Sequence, residues 1–334
     1  MKEALVYSRL ENLEVSCGLC AHGCRIKPGQ FGICQVRQNI DGRLYTHNYA
    51  KLVAANIDPV EKKPLYHFLP GSSTFSVAAP GCNFSCGFCQ NWEISQLDPL
   101  QGKIPGREFS PAQVVQSAKN SACASIAYTY TEPTIYFEFA LQTCRLARQE
   151  GLRNIFVTNG YMSHEAVSLI SPCLDGANID LKFFKDSTYQ KVCGAKLKPV
   201  LDAIQWLAAA GTWVELTTLI IPGLNDDPQE LTGIARFIAS VNRDIPWHIS
   251  RFHADYKFSN YPVTPEDTLK LAYGIGLAEG LRYVYVGNFQ AWGQDTCCSG
   301  CGKVLVRRKG LNILEAHLKQ GRCAFCRLPL AGIF

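Results

Sequence analysis

From about residue 72 to residue 290, short apolar, β-branched or aromatic runs alternate with longer stretches of helical periodicity. That alternation predicts repeated strand–helix units around a parallel sheet. Strand candidates cover residues 74–79, 125–130, 154–158, 177–181, 214–220, 247–252 and 283–286. Helix starts are predicted at Ser110-Pro111-Ala112-Gln113 and Thr264-Pro265-Glu266-Asp267, each with a capping hydroxyl, an N1 proline and an acceptor three residues on. Gly151 and Gly211 supply stops. The expected architecture is an α/β chain with a partial (β/α)6 TIM-like barrel, whose functional groups sit on loops after the carboxyl ends of its strands.

The flanks read differently. Residues 1–70 combine a cysteine cluster with Gly and Pro punctuators and are expected to form a small cysteine-rich metal-binding module with a connecting arm. Residues 71–290 then hold the barrel, and residues 291–334 a zinc-ribbon-like module. A length of 334 residues with 47% hydrophobic positions can bury a core of that size. The formal charge of +5 is too small over this length to demand a nucleic-acid partner. No leader-like n-region and h-region open the chain, and no run reaches the roughly 18 apolar residues of a membrane helix. A cytoplasmic chain without a membrane partner is expected. Most of the 16 cysteines fall into C-x2-C or C-x3-C clusters, which favours metal over cystine.

Cys82, Cys86 and Cys89 carry the most specific chemistry. They are spaced C-x3-C-x2-C in Gly81-Cys82-Asn83-Phe84-Ser85-Cys86-Gly87-Phe88-Cys89, just after the first strand candidate. A fully protein-bound cubane takes four cysteines, so three on one loop leave one iron open. A structural zinc loop is the competing reading, but a closed tetrahedral site needs a fourth ligand that this loop lacks.

This loop resembles that of the radical S-adenosylmethionine (SAM) superfamily, and Phe88 fits the same pattern. The resemblance implies a [4Fe-4S] cluster that chelates SAM and reductively cleaves it to a 5'-deoxyadenosyl radical, which abstracts hydrogen from a substrate. It also implies a flavodoxin- or ferredoxin-type electron donor. Together with Cys17-Gly18-Leu19-Cys20, Asp58-Pro59-Val60-Glu61-Lys62-Lys63-Pro64-Leu65-Tyr66-His67 and the C-terminal knuckles, the motifs look like the radical SAM member of the AmmeMemoRadiSam system. That group is related to pyruvate formate-lyase activating enzymes, and the likeness implies Memo-like and AMMECR-like partners. The ferredoxin-like cysteine insertion of many glycyl-radical activases is missing here.

Four positions follow as expected SAM contacts. Glu132, in Tyr130-Thr131-Glu132-Pro133 where the family usually has Gly-Gly-Glu-Pro, would meet the SAM ammonium; otherwise it charges a helix start. Asn159 could reach the nucleoside or simply make an Asn-Gly turn. Asp180 and Lys182 share a strand face and could grip the methionine zwitterion, or form a structural ion pair. Thr217 and Thr218 are expected toward the lumen, and His248, Arg251 and His253 near its mouth. Tyr128, Tyr130 and Tyr136 read as core, and Cys123, Cys144, Cys173, Cys193 and Cys297 as small buried hydrophobes.

Two further cysteine sets flank the barrel. Cys17, Cys20, Cys24 and Cys34 suit zinc or an auxiliary iron–sulfur cluster, and spacing does not separate the two. Cys298, Cys301, Cys323 and Cys326 read as paired zinc knuckles. The basic residues around them, Lys303, Arg307, Arg308, Lys309, Lys319, Arg322 and Arg327, balance the tetrathiolate or offer a docking surface for nucleic acid or an acidic protein. A metal-knit scaffold without catalysis is the alternative function.

Overall fold

The computed structural model describes residues 1–97 and 104–334. All seven predicted strands form, within a residue or two at each end. They are β2 (Ser73–Ala78), β3 (Ser125–Tyr128), β4 (Arg153–Thr158), β5 (Gly176–Asp180), β6 (Trp213–Ile220), β7 (Trp247–Arg251) and β8 (Val284–Gly287). They pair in sequence order and in parallel, the register running from Ser125 opposite Thr74 to Ser250 opposite Gly287. An eighth member, β1 (Ala54–Pro59), pairs antiparallel with β2 and lies in what the sequence suggested was a connecting arm. Its polar Asn56 and Asp58 interrupt the apolar run by which buried parallel strands are recognised.

Helices cross between the parallel strands: α1 (Pro111–Asn120), α2 (Phe137–Gln149), α3 (His164–Ile170), α4 (Asp186–Cys193), α5 (Leu197–Ala209), α6 (Pro228–Val241) and α7 (Glu266–Ala278). The core lies between these helices and the sheet, with Val77, Ile126, Phe156, Ile179, Leu216 and Ile249 fully buried. Ser110 caps α1 as expected. Its Oγ accepts from Gln113 N at 3.2 Å, and the Gln113 side chain accepts from Ser110 N at 2.8 Å, together contributing about 1 kcal/mol. Thr264 does not cap α7. Its hydroxyl accepts from Phe252 N at 2.8 Å and donates to Ile220 O at 2.6 Å, tying the ends of β6 and β7 instead.

The N-terminal module docks on the barrel through the buried ion pair of Arg37 with Glu138 of α2. At the other end, strands Thr296–Cys297, Val304–Lys309 and Asn312–Ala316 form an antiparallel sheet packed against Tyr66, Tyr283 and Tyr285. Arg308 does not belong to the exposed basic set. It is buried, donates to Tyr66 O at 2.9 Å and Thr296 Oγ1 at 2.7 Å, and stacks 4.1 Å from the Tyr66 ring centroid. Cys297 is likewise exposed, not buried. No helix among the described residues is long and apolar enough to cross a membrane.

Candidate functional site

The carboxyl ends of the parallel strands surround a cavity of about 480 Å3. Cys82, Cys86 and Cys89 line it from the loop after β2, Glu132 from the loop after β3, Asn159 from the loop after β4, and Asp180 and Lys182 from the end of β5. All seven positions picked from the sequence therefore meet in one space. The alternation of strand side chains explains the rest of the wall: Thr217, Leu219 and Ser250 face inward. Thr218 faces the other way, where it donates to Leu181 O at 2.8 Å and accepts from Trp247 Nε1 at 2.9 Å.

The three thiols are held by their own loop. Cys82 Sγ accepts from Phe84 N at 3.3 Å, and Cys89 Sγ lies 3.2 Å from Ser95 Oγ. Burial pushes the free Cys82 and Cys89 thiols above their ordinary range. The thiolate state that binds metal would thus come from coordination itself. Buried Cys193, at the end of α4, lies against Cys86, and its carbonyl accepts from Ser85 N at 3.0 Å.

Glu132 is buried and holds four protein donors. Oε1 accepts from Thr134 N at 3.0 Å, Thr134 Oγ1 at 2.6 Å and Thr158 Oγ1 at 2.7 Å, while Oε2 accepts from Asn159 N at 2.8 Å. Burial raises its pKa in spite of these donors. The helix-start reading is present alongside cavity exposure, since Thr134 N is the capped amide. Asn159 likewise does two things: its Oδ1 accepts from Tyr161 N at 3.1 Å in a local turn, and its Nδ2 donates to Asn83 Oδ1 at 2.7 Å. Lys182 Nζ donates to Asp180 Oδ2 at 2.7 Å and lies 5.7 Å from the Phe88 ring centroid. Desolvation opposes the lysine charge, but the neighbouring acidic groups, Asp180 foremost, outweigh it and hold the pKa well above the usual value.

Three expected mouth residues separate. His248 faces the lumen one layer below Ser250, where its Nε2 donates to buried Glu215 at 2.6 Å. Glu215 also accepts from Tyr66 N at 3.0 Å, His67 N at 2.8 Å and Trp213 Nε1 at 3.0 Å, which makes this a structural floor. Arg251 donates to Thr264 O at 3.0 Å. Only His253 reaches the rim, accepting from Gln90 Nε2 at 2.8 Å.

A further wall was missed in the sequence. Tyr130, read as core, lines the cavity with Lys62 and Lys63. Tyr128 and Tyr136 are core, as expected. Lys63 is buried, donates to Asp58 Oδ2 at 2.7 Å and lies 4.3 Å from the Tyr130 ring centroid. The Tyr130 hydroxyl also donates to Asp58. Burial works against the Asp58 charge, yet Lys62, Lys63 and Tyr130 hold its carboxyl well below the usual range. Burial pulls Lys63 down to about 8 despite Asp58. Tyr130 sits at φ 65°, a left-handed conformation that costs a side-chain-bearing residue about 1–2 kcal/mol. The signal available in the sequence was Asp58 four and five residues before the paired lysines Lys62 and Lys63, an acid placed to pair with both.

The cysteine sets differ in spacing. In the C-terminal set, Cys298 Sγ lies 3.6 Å from Cys326 Sγ, and Cys301 Sγ lies 3.8 Å from Cys323 Sγ. Four zinc–sulfur bonds of about 2.3 Å give tetrahedral edges of about 3.8 Å, so these thiols fit one zinc ion. Among the described residues, neither Cys82, Cys86 and Cys89 nor the four N-terminal cysteines bring three sulfurs within 4.8 Å of one another. A cubane, whose corners each take one thiolate, suits the wider setting of the three-cysteine loop.

The three-cysteine loop thus lines a strand-end cavity on a partial parallel barrel. Residues 76–237 match the Radical SAM superfamily. An uncharacterized protein of Methanocaldococcus jannaschii is 43% identical over 330 residues, which cover 98% of each chain. The chain belongs to the radical SAM superfamily. It is also 21% identical over 193 residues to the pyruvate formate-lyase-activating enzyme of Streptococcus mutans, across 55% of this chain and 73% of that one. In fold it is similar to a radical SAM methyltransferase from Sphaerobacter thermophilus, with a TM-score of 0.53, 15% identity and 71% of each chain covered.

Proposed function

We propose that this chain is a radical SAM enzyme whose cavity binds SAM against a [4Fe-4S] cluster on Cys82, Cys86 and Cys89. The observation that carries the reading is the convergence of three wide-set thiols with Glu132, Asn159, Asp180 and Lys182 around one space of nucleotide size. When bound, the reduced cluster supplies the electron that cleaves the SAM sulfonium and so starts hydrogen abstraction.

The chain's own residues position and shield. Glu132 places its carboxyl group beside the space for the SAM ammonium and holds the loops after β3 and β4 in register. Asp180 and Lys182 offer complementary charges to the methionine zwitterion. Asn159 fixes the cluster loop through Asn83. The opposite wall, with Lys62, Lys63 and Tyr130, suits a substrate bearing an anionic or hydrogen-bond-accepting group. A flavodoxin- or ferredoxin-type donor, and Memo-like and AMMECR-like partners, complete this reading. An activase acting on a protein partner is the second reading, favoured by the resemblance to the Streptococcus mutans enzyme.

Anaerobic reconstitution with iron, sulfide, dithionite and SAM tests the proposal. The expected result is 5'-deoxyadenosine from the parent and none from Cys82→Ala, Cys86→Ala or Cys89→Ala. Release of no 5'-deoxyadenosine by a parent with a full iron load would leave the metal-knit scaffold in its place.

A further inference from the structure

The four N-terminal cysteines form a second built site outside the SAM cavity. Cys17, Cys20, Cys24 and Cys34 surround a small space closed by Ile26 and Ile135. Two buried polar side chains also border it with unpartnered donors: Asn83 Nδ2, and Nε and Nη1 of Arg37. Asn83 is 2% exposed and Arg37 1%. Buried donors of this kind are almost always satisfied, and the sulfurs of an anionic metal–thiolate centre would satisfy them.

The spacing of the thiols separates the two metals that the sequence left open. The C-terminal set has closed to the edge lengths of a single zinc tetrahedron. Among the described residues the N-terminal set, like Cys82, Cys86 and Cys89, does not bring three sulfurs within the 4.8 Å that a single metal ion would require. Its position is equally specific. Ala21 N donates to Tyr161 O and Ser163 N to Leu19 O, both at 3.1 Å, which pins Cys20 over the loop after β4. His22 Nε2 donates to Asn83 O at 2.8 Å. Asn83 is peptide-bonded to Cys82, and its side chain spans from the N-terminal site to Asn159.

We propose that Cys17, Cys20, Cys24 and Cys34 hold an iron–sulfur cluster that relays electrons through Asn83 to the loop of Cys82, Cys86 and Cys89. One electron from a flavodoxin- or ferredoxin-class donor enters the N-terminal cluster, oxidising the donor by one. The same electron leaves toward the Cys82 loop and returns the N-terminal cluster to its starting state. Ile33, 55% exposed beside Cys34, gives a donor protein an approach to this site. The relay rests on the SAM-cleaving reading; the identity of the metal does not.

The metal is tested on the full chain carrying Cys82→Ala, Cys86→Ala and Cys89→Ala together, after anaerobic reconstitution. About four iron and four sulfide per chain are expected to remain, with the electron paramagnetic resonance signal of a reduced cubane. Zinc at this site, with no iron retained, would overturn the cluster whatever the parent does with SAM. The relay is tested with Cys24→Ala under two reductants. Dithionite, which reaches the Cys82 loop directly, is expected to support 5'-deoxyadenosine formation, while reduced flavodoxin no longer does. Equal activity of parent and variant with flavodoxin, or equal loss with both reductants, would refute the relay.

Discussion

Glu132 Oε2 accepts the backbone N–H of Asn159 at 2.8 Å, so one buried carboxylate joins the loops that follow two neighbouring parallel strands. The same carboxylate takes three donors from Thr134 and Thr158. An ionised carboxylate is acceptor-only, whereas an amide keeps one acceptor and turns the other end into a donor. In Glu132→Gln either Asn159 N or the threonine donors lose their partner, at about 1–3 kcal/mol. We expect the variant to unfold at lower urea concentration and to bind SAM more weakly, read by denaturation and by equilibrium dialysis. Unchanged stability would show that these four contacts are not jointly made.

The wall opposite Glu132 has its own test at Tyr130. This residue keeps a left-handed backbone while its hydroxyl donates to Asp58. Tyr130→Phe retains the strain and removes the bond, so a loss of about 1–2 kcal/mol is expected at neutral pH. Asp58 has a folded pKa held below its ordinary 3.8, so its contribution is present above 3.8 and fades as pH falls through the folded value. The gap between parent and variant should therefore narrow in acid below 3.8. A gap that stays constant with pH would locate the effect in packing and not in Asp58.

Metal removal probes the C-terminal module. Its thiols fit zinc, and Arg308 and Val306 seat it on Tyr66 and Tyr285 at the closed end of the barrel. A tight zinc chelator should release about one zinc per chain and lower the melting temperature of the whole molecule. Cys326→Ala should reproduce that shift without chelator. Iron in this module, or a melting temperature indifferent to the chelator, would count against a structural zinc.

Much of this was legible in the sequence because the periodic signals were strong. The apolar runs marked every parallel strand, and the cysteine spacing led to the cavity. What escaped depended on long-range partners. β1 carries Asn56 and Asp58 in place of an apolar face, and its strand character comes from pairing with β2. Lys63 looked like part of a basic linker, because its burial against Asp58 and Tyr130 joins positions 58, 63 and 130. His248 lies on the expected strand, but its depth follows from Glu215 on the neighbouring strand, a pairing that no local pattern records. Thr264 carried the right cap pattern, yet the ends of β6 and β7 compete for its hydroxyl and win.

The floor beneath the cavity predicts an acid sensitivity of defined sign. His67 is buried, its Nδ1 donating to Ala331 O at 2.7 Å and its Nε2 accepting from the Tyr285 hydroxyl at 2.6 Å. That arrangement fits a neutral ring, and burial lowers its pKa from 6.5 to about 4. Between those values the unfolded chain binds a proton that the folded chain refuses, so stability rises with pH across the window. Acidification from 6.5 to about 4 should remove up to about 3 kcal/mol through this residue and no more below it. Glu215, whose folded pKa is held below 4.5, continues the loss at lower pH, since its contribution fades as pH falls through that folded value. Replacing His67 with Asn deletes the first step and leaves the second. Urea-unfolding free energies for parent and His67→Asn should therefore converge as pH falls from 6.5 to about 4, because only the parent carries the histidine's titration. Curves that stay parallel across this window would mean that the ring is protonated in the folded chain and that the Tyr285 contact runs the other way.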